Sequence, residues 1–381
     1  MRRVAWLALA VSLAGAPCLL GCGGSGGEVR SQRRELPPPD PRAVRQFVAG
    51  VKHMGRPGRA NERRAVAYFE RALVLDANLW EAHHNLGVLA RRGGRVRDAA
   101  EHFQAALEIQ PGSRSTRLAL AETRYALGDR SEASDLLEGL VERDPEAMEA
   151  RVALATMLRE QGAHDRALAH AREVLIRHPS NVHALAEVGR VYLARERHDV
   201  AALVFKKALT LLGDENAREA ARIHNDMGLL ELARGDTQLA FQHFAKAIEA
   251  DPRYAPARMN QGAVLLKAGD YAGALAEYET VVELDPSHLD ARVALGAALR
   301  GLGKHRQAGR QYQRVLKESP NHPAALFNLA VLRADFLNQR PRARLLFEKF
   351  LKVAPDGDPH RREATRYLEE IPAPKPKGGQ S

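Results

Sequence analysis

The sequence predicts an all-α chain, a right-handed solenoid of stacked helix pairs. Three observations predict it. Pro111, Pro145 and Pro179 are 34 residues apart, and so are Pro252, Pro286 and Pro320. Small and aromatic residues recur at fixed offsets inside each such unit. Each unit also holds two apolar-periodic segments of helix length, in a 381-residue chain that is 45% hydrophobic and whose 5% aromatics argue against platforms that stack bases or sugars. A unit of this length cannot bury its apolar face alone, and stacking of neighbours makes the core.

The N-terminus is an address. Met1-Arg2-Arg3 supplies positive charge and Val4 to Ala16 is apolar, the layout of a secretory signal over residues 1–21. The run is too short to span a membrane stably. Leu19-Leu20-Gly21-Cys22 follows and resembles a bacterial lipobox. The resemblance implies cleavage before Cys22, a diacylated sulfur and an acylated new amine. Three chains, at about 0.8 kcal/mol per buried methylene, hold a protein firmly on a bilayer. Gly23, where an aspartate would retain a lipoprotein at the inner membrane, implies the outer membrane, facing the periplasm. Cys18 leaves with the signal, so no disulfide remains within the chain.

Residues 22–40 read as a tether. Gly23-Gly24-Ser25-Gly26-Gly27 is flexible and Pro37-Pro38-Pro39 is stiff. The segment reaches at most about 60 Å. Cleavage removes two of the 57 basic residues against 47 acidic ones and lowers the net charge from +10 to +8. Export to an envelope compartment excludes a nucleic-acid partner despite that charge.

The repeats come next. With Ala221 as position 1, Met227-Gly228, Ala240, Phe244, Ala247 and Pro252 fall at positions 7–8, 20, 24, 27 and 32. The units from Trp80, Ala255 and Leu289 repeat the pattern with Gly87 and Phe103, Gly262 and Tyr278, and Gly296 and Tyr312. Units from Arg114, Met148 and Val182 keep the frame with Ala121, Ala155 and Gly189 at position 8. This pattern resembles the tetratricopeptide repeat (TPR). The frame counts eight clear repeats and one degenerate one over residues 41–357, the charged segment 358–371 reads as a capping helix, and 372–381 as a disordered tail. The first unit keeps Ala65, Phe69 and Ala72 but lacks a clear Leu-Gly. Extra residues are expected near Asp214 to Arg218, and one more in the turn before Ala343.

The packing follows from the residues. Small residues at positions 8 and 20 let two antiparallel helices approach closely. The aromatic at position 24 is expected to fill the space between neighbouring pairs. Gly128, Gly162, Gly235, Gly269 and Gly303 at position 15 suit a turn with positive φ. The proline at position 32 ends the second helix.

Catalytic patterns fail on context. The glycines around Ser25 match G-x-S-x-G, and those from Gly21 to Gly26 match G-x-G-x-x-G, but both sit in the tether without a flanking strand or helix. No two of the 15 histidines are three or four residues apart, so no helix offers a two-histidine metal face. The sequence predicts no enzyme, cofactor, metal or small-molecule substrate.

The repeat offers surface instead. The TPR resemblance implies a concave groove lined by first-helix residues near positions 2, 5, 6, 9 and 12, which holds an extended peptide or a partner helix. Here these include His84, Asn85, Val88, Leu118, Val152, Asn225, Leu229, Met259, Asn260, Val293, Phe327, Asn328 and Val331. The asparagines serve either the ligand's backbone or bonds between repeats. Charge is uneven: Arg42 to Arg64 carries a net +6, Glu132 to Glu149 a net −6, and Arg300 to Lys317 six positive charges without an acid. These runs suit an anionic lipid surface or an acidic partner, or are solvated faces.

A lipobox followed by an array of this length is similar to the adventurous gliding motility TPR lipoproteins of the GltE family. That resemblance implies a lipid-anchored scaffold for a cell-envelope machine, with envelope proteins as partners and the membrane reached through the anchor. A pilotin-like factor for a type IV pilus secretin, or an accessory of cell-wall or polysaccharide export, are the alternatives.

Overall fold

The computed structural model of the chain describes residues 37–213 and 216–372. The signal segment, Cys22, most of the tether and residues 373–381 lie outside the described residues. Among the described residues there are nineteen α-helices and no strand. The first pair is α1 (Pro41–Met54) with α2 (Arg59–Leu75), followed by α3 (Trp80–Arg92) with α4 (Val96–Ile109). Next come α5 (Arg114–Leu127) with α6 (Arg130–Arg143), and α7 (Met148–Glu160) with α8 (His164–Arg177). Then α9 (Val182–Ala194) pairs with α10 (His198–Leu211), and α11 (Ala217–Arg234) with α12 (Thr237–Ala250). The last pairs are α13 (Ala255–Ala268) with α14 (Tyr271–Leu284), α15 (Leu289–Gly301) with α16 (His305–Glu318), and α17 (Pro323–Val331) with α18 (Arg340–Val353). A single helix, α19 (Arg361–Glu370), follows. The contacts divide the chain into two compact units that meet in sequence at Val174 and Leu175. No described helix is long and apolar enough to cross a membrane.

Each pair closes on the same contact. A Cβ placed on Gly87 would lie 2.7 Å from the Phe103 ring, and one on Gly262 would lie 2.7 Å from the Tyr278 ring. Gly189 and Phe205, Gly228 and Phe244, and Gly296 and Tyr312 are in the same relation. The position-24 aromatic therefore seats first on the glycine of its own pair. It also reaches the next pair, as expected: Tyr278 shares a buried cluster with Val293 and Leu295. Where position 8 is Ala121 or Ala155, position 24 is Leu137 or Ala171, all fully buried. The two positions exchange volume, as a close-packed interior demands.

The degenerate first unit contains the same contact. A Cβ on Gly50 would lie 2.6 Å from the Phe69 ring. The absent Leu-Gly of the sequence reading is thus an Ala49-Gly50 in the right place. A longer turn through Gly55 and Gly58 displaced it from the frame. This pair and α3 share a core of Ala65, Phe69, Ala72 and Leu86.

The turns between paired helices use left-handed backbone. Gly94, Gly128, Gly162, Gly235, Gly269 and Gly303 have φ between 72° and 94°. Glu196 takes the same place in its repeat at φ 57°, and Asn338 does so at φ 49°. The extra residues near 214–218 lengthen α11, which has 18 residues where α9 has 13 and α13 has 14. The other extra residue lies elsewhere than expected. It forms a π-turn over Leu332–Phe336 at the end of α17, where the Leu337 amide donates to the Leu332 carbonyl at 3.1 Å. A π-turn absorbs one added residue without breaking the helix, so the connecting turn stays short.

In the second unit α19 covers the last pair. Ala364, Tyr367 and Ile371 are buried with Phe347 and Phe350, and the Tyr367 ring stacks on Phe347 at 4.6 Å. The Arg344 guanidinium donates to the Leu368 carbonyl at 2.8 Å and to that of Ile371, tying down the end of α19.

Candidate protein-binding groove

The first helix of each pair carries the candidate groove residues. In the first unit these helices are α3, α5 and α7. His84, Asn85, Val88, Leu118 and Val152 are all half-buried. The His84 Nδ1 is 2.9 Å from the Thr116 hydroxyl, joining α3 to α5. Burial, and secondarily Arg91, pull the His84 pKa down, so it is a neutral linker. Two turns further on, Arg91 donates to Glu122 at 2.6 Å. The Tyr125 hydroxyl donates to Glu160 at 2.6 Å and joins α5 to α7. Each link joins two neighbouring repeats and leaves the half-buried aliphatic residues between them.

In the second unit the corresponding helices are α9, α11, α13, α15 and α17. Asn260 Nδ2 donates to Asn225 Oδ1 at 2.8 Å, so these two asparagines bond between repeats. Asn328 donates to the Ala324 carbonyl of its own helix at 2.9 Å. Arg190 is buried among acids: it bonds Glu187, donates to Asp226 at 2.7 Å, and lies 3.7 Å from Glu219. Burial opposes its charge, but Asp226 and Glu187 outweigh that and raise its pKa. Burial raises the Asp226 pKa against the pull of Arg190. Glu219 reaches this cluster only because α11 has its added N-terminal turn, and it also holds His183 at 3.4 Å.

Four of the expected groove residues are buried: Asn225, 5% exposed and bonded to Asn260, and three apolar core residues. Val293, Phe327 and Val331 are 7%, 5% and 8% exposed. The Phe327 ring stacks on His360 at 4.3 Å and faces Phe350 at 5.4 Å. The segment leading into α19 packs where a further first helix would stand and covers that position. Leu229 remains accessible, 38% exposed, with Leu232 beside it at 37% and Met259 half-buried. Leu232, Arg190 and Asp226 complete the inner face and were not singled out from the sequence. Their position numbers, 12, 9 and 6, were the available signal. Among the described residues no group of three or more His, Cys, Asp or Glu is placed to hold a metal.

A second recurring pair lies between the helices of one repeat, at positions 4 and 23. His83 and His102, and His224 and His243, each place their Nδ1 atoms 3.3 Å apart. In the repeat from Ala255 the same places hold Arg258 and Glu277, bonded at 2.7 Å. In the next they hold Arg292 and Gln311 at 3.4 Å.

Helix pairs locked inside each repeat, linked between repeats and lined by accessible leucines define a repeat protein of the binding class. The chain belongs to the tetratricopeptide repeat family. The family's profiles match residues 80–113 and, in overlapping spans from 118–181 to 293–336, more than half of the chain. Members are typically protein–protein interaction scaffolds, and typically not enzymes. The human protein O-mannosyl-transferase TMTC1 is 26% identical over 192 residues, 49% of this chain and 21% of its own length. Cellulose synthase operon protein C of Pseudomonas fluorescens (strain SBW25) is 26% identical over 213 residues, 49% of this chain and 16% of that protein. The chain thus spans about a fifth of the length of these curated relatives. Among solved structures, Cut9 with Hcn1 from the APC/C aligns with a TM-score of 0.56 at 14% identity, covering 86% of this chain and 66% of that one. Pseudomonas aeruginosa pilF aligns with a TM-score of 0.50 at 19% identity, covering 59% of this chain and 98% of its own. Both likenesses are of fold.

Proposed function

We propose that the chain is a lipid-anchored scaffold that binds other proteins to assemble or stabilise a bacterial cell-envelope machine. Acylated Cys22 holds it at the outer membrane, the tether gives reach, and the inner faces of the repeats hold an extended segment or a helix of the partner. The exposed pair Leu229 and Leu232, on an inner face otherwise occupied by inter-repeat bonds, carries the binding half of this reading. The lipobox carries the anchoring half. The gliding-motility complex is the machine that the sequence resemblance favours, with a pilus secretin and polysaccharide export as the other candidates. The test is purification of the protein with its crosslinked neighbours from detergent-solubilised membranes, with Cys22→Ala alongside. Motility-complex subunits recovered with the wild type and lost with Cys22→Ala support the reading. A secretin among the neighbours replaces it with the pilotin reading. Absence of labelled fatty acid on the wild-type protein, with Cys22→Ala as the control, removes the anchor.

A further inference from the structure

In the second unit the turns joining α13 to α14, α15 to α16 and α17 to α18 lie side by side, and each presents a large apolar side chain to solvent. Tyr271 is 37% exposed, Leu302 37% and Phe336 48%. They form a line. The Tyr271 ring lies against Gly301, next to Leu302, and the Phe336 ring sits 4.6 Å from the His305 ring at the start of α16. Exposed apolar residues on a soluble surface are ordinary one at a time. Three on adjacent turns of one edge are not, because each could have been polar without cost to the core.

Basic residues flank this line. Lys304, Arg306, Arg340 and Arg342 are exposed, and no carboxylate among the described residues pairs with them. Arg333 is half-buried between them, where burial and then Arg342 act against its charge. Two acids adjoin the line, each hydrogen-bonded to an uncharged donor. Asp270 caps α14 through the Gly273 amide at 2.9 Å, and Asp335 accepts from the Tyr367 hydroxyl at 2.5 Å. Five basic residues against these two acids leave the edge net cationic.

We propose that this edge docks on an anionic phospholipid bilayer. Lys304, Arg306, Arg340 and Arg342 meet headgroup phosphates while Leu302, Phe336 and the Tyr271 ring enter the interfacial region. Each half of the set answers one half of such a surface: cationic side chains are drawn to the anionic plane within a Debye length, and apolar tips gain by leaving water below it. A nucleic acid would use the charges and stack a base on an aromatic ring but offers no apolar interior to Leu302, and an acidic protein would need a pocket matched to each of three turn tips, where a bilayer accepts all three at once. The docking does not depend on acylation of Cys22; it would orient the array against the membrane by contacts of the fold itself.

The experiment uses the full chain carrying Cys22→Ala, floated with vesicles of phosphatidylcholine alone or with about 30 mol% phosphatidylglycerol. Neutral vesicles measure whatever the N-terminal apolar run contributes. The expected result is tighter binding to the anionic vesicles. That increment falls about a hundredfold or more in Lys304→Glu/Arg306→Glu and falls with added salt. Leu302→Ser/Phe336→Ser lowers binding to the anionic vesicles several-fold at both low and high salt. If the charge reversal melts early, Lys304→Gln/Arg306→Gln carries the same expectation at about half the effect on a logarithmic scale. Equal binding to both vesicle types overturns the proposal. So does full anionic binding in the charge variants, or a single-stranded oligonucleotide that competes for these residues while vesicle binding persists.

Discussion

His224 and His243 share one hydrogen bond across the two helices of a single repeat, their Nδ1 atoms 3.3 Å apart. Only one of the two facing nitrogens can carry the proton, so the pair is stable when at least one ring is neutral. Burial, then His243 and Lys246, push the His224 pKa down to about 4. A folded-state pKa below the unfolded one means that stability is full above about pH 6.5 and is lost as the pH falls toward 4. Because the group is only partly buried, the loss expected between pH 7 and pH 5 is about 1 kcal/mol. Urea midpoints at these two pH values measure it. His224→Leu should reduce the dependence, with the part due to His83, His84, His102 and His170, also lowered by burial, remaining; an unchanged slope would show that the pair does not titrate with folding.

Gly262 and Tyr278 allow a test of volume exchange. Gly262→Leu should cost about 1–3 kcal/mol by overpacking. Gly262→Ala alone should also destabilise, and adding Tyr278→Leu should recover part of that cost, reproducing the Ala121 and Leu137 pair. The coupling is read from the four denaturation curves of a double-mutant cycle. Strict additivity would mean that the ring and the glycine do not constrain one another.

Glu196 occupies a turn position that six other repeats fill with glycine, at φ 57°. Left-handed backbone costs a non-glycine residue about 1–2 kcal/mol, part of which glycine returns through its freer unfolded chain. Glu196→Gly should therefore stabilise by about 0.5–1 kcal/mol. The converse change, Gly235→Ala, should destabilise by a similar amount. A melting temperature for Glu196→Gly below that of wild type would contradict the turn geometry.

Arg190 neutralises a buried acidic neighbourhood. Arg190→Met should cost about 3–5 kcal/mol, because the buried Asp226 carboxylate loses the guanidinium that bonds it. Arg190→Met/Asp226→Leu should recover part of the loss. Chemical denaturation of both proteins decides this, and equal stability of the two would show that the charges were already solvated.

Leu229→Asp/Leu232→Asp tests the inner face directly. Both side chains are more than a third exposed but still largely covered, so the double change should cost about 1–3 kcal/mol and leave the array folded. Partner capture in the crosslinking experiment should be lost. Capture at the wild-type level would place the binding surface elsewhere.

Much of the fold was legible because the repeat constrains the same places again and again. The glycines, alanines, aromatics and prolines of the 34-residue frame each have one physical task, and Gly262, Ala274, Tyr278 and Pro286 perform it visibly. What escaped was out of frame or relational. Gly50 was hidden by a longer turn, and the π-turn at Leu332–Phe336 looks like any other insertion until its hydrogen bonds are known. Phe327 was assigned to the groove by its position number, which carries no information about what packs on it. The histidine pairs were present in the sequence as a repeated spacing of 19, between positions rather than at one, and single-position reading passes over such signals.

The two kinds of polar link differ in what they let the chain inherit. The bond between positions 4 and 23 lies inside one repeat, so Arg258 and Glu277 travel together whenever that unit is copied or lost. The bonds from Arg190 to Asp226 and from Asn260 to Asn225 span a boundary, and no single unit contains both halves. Gene segments encoding the repeat from Ala255 can therefore be duplicated with their internal lock intact. The order of the three repeats beginning at Val182, Ala221 and Ala255 is fixed by pairs that a shuffled gene would separate.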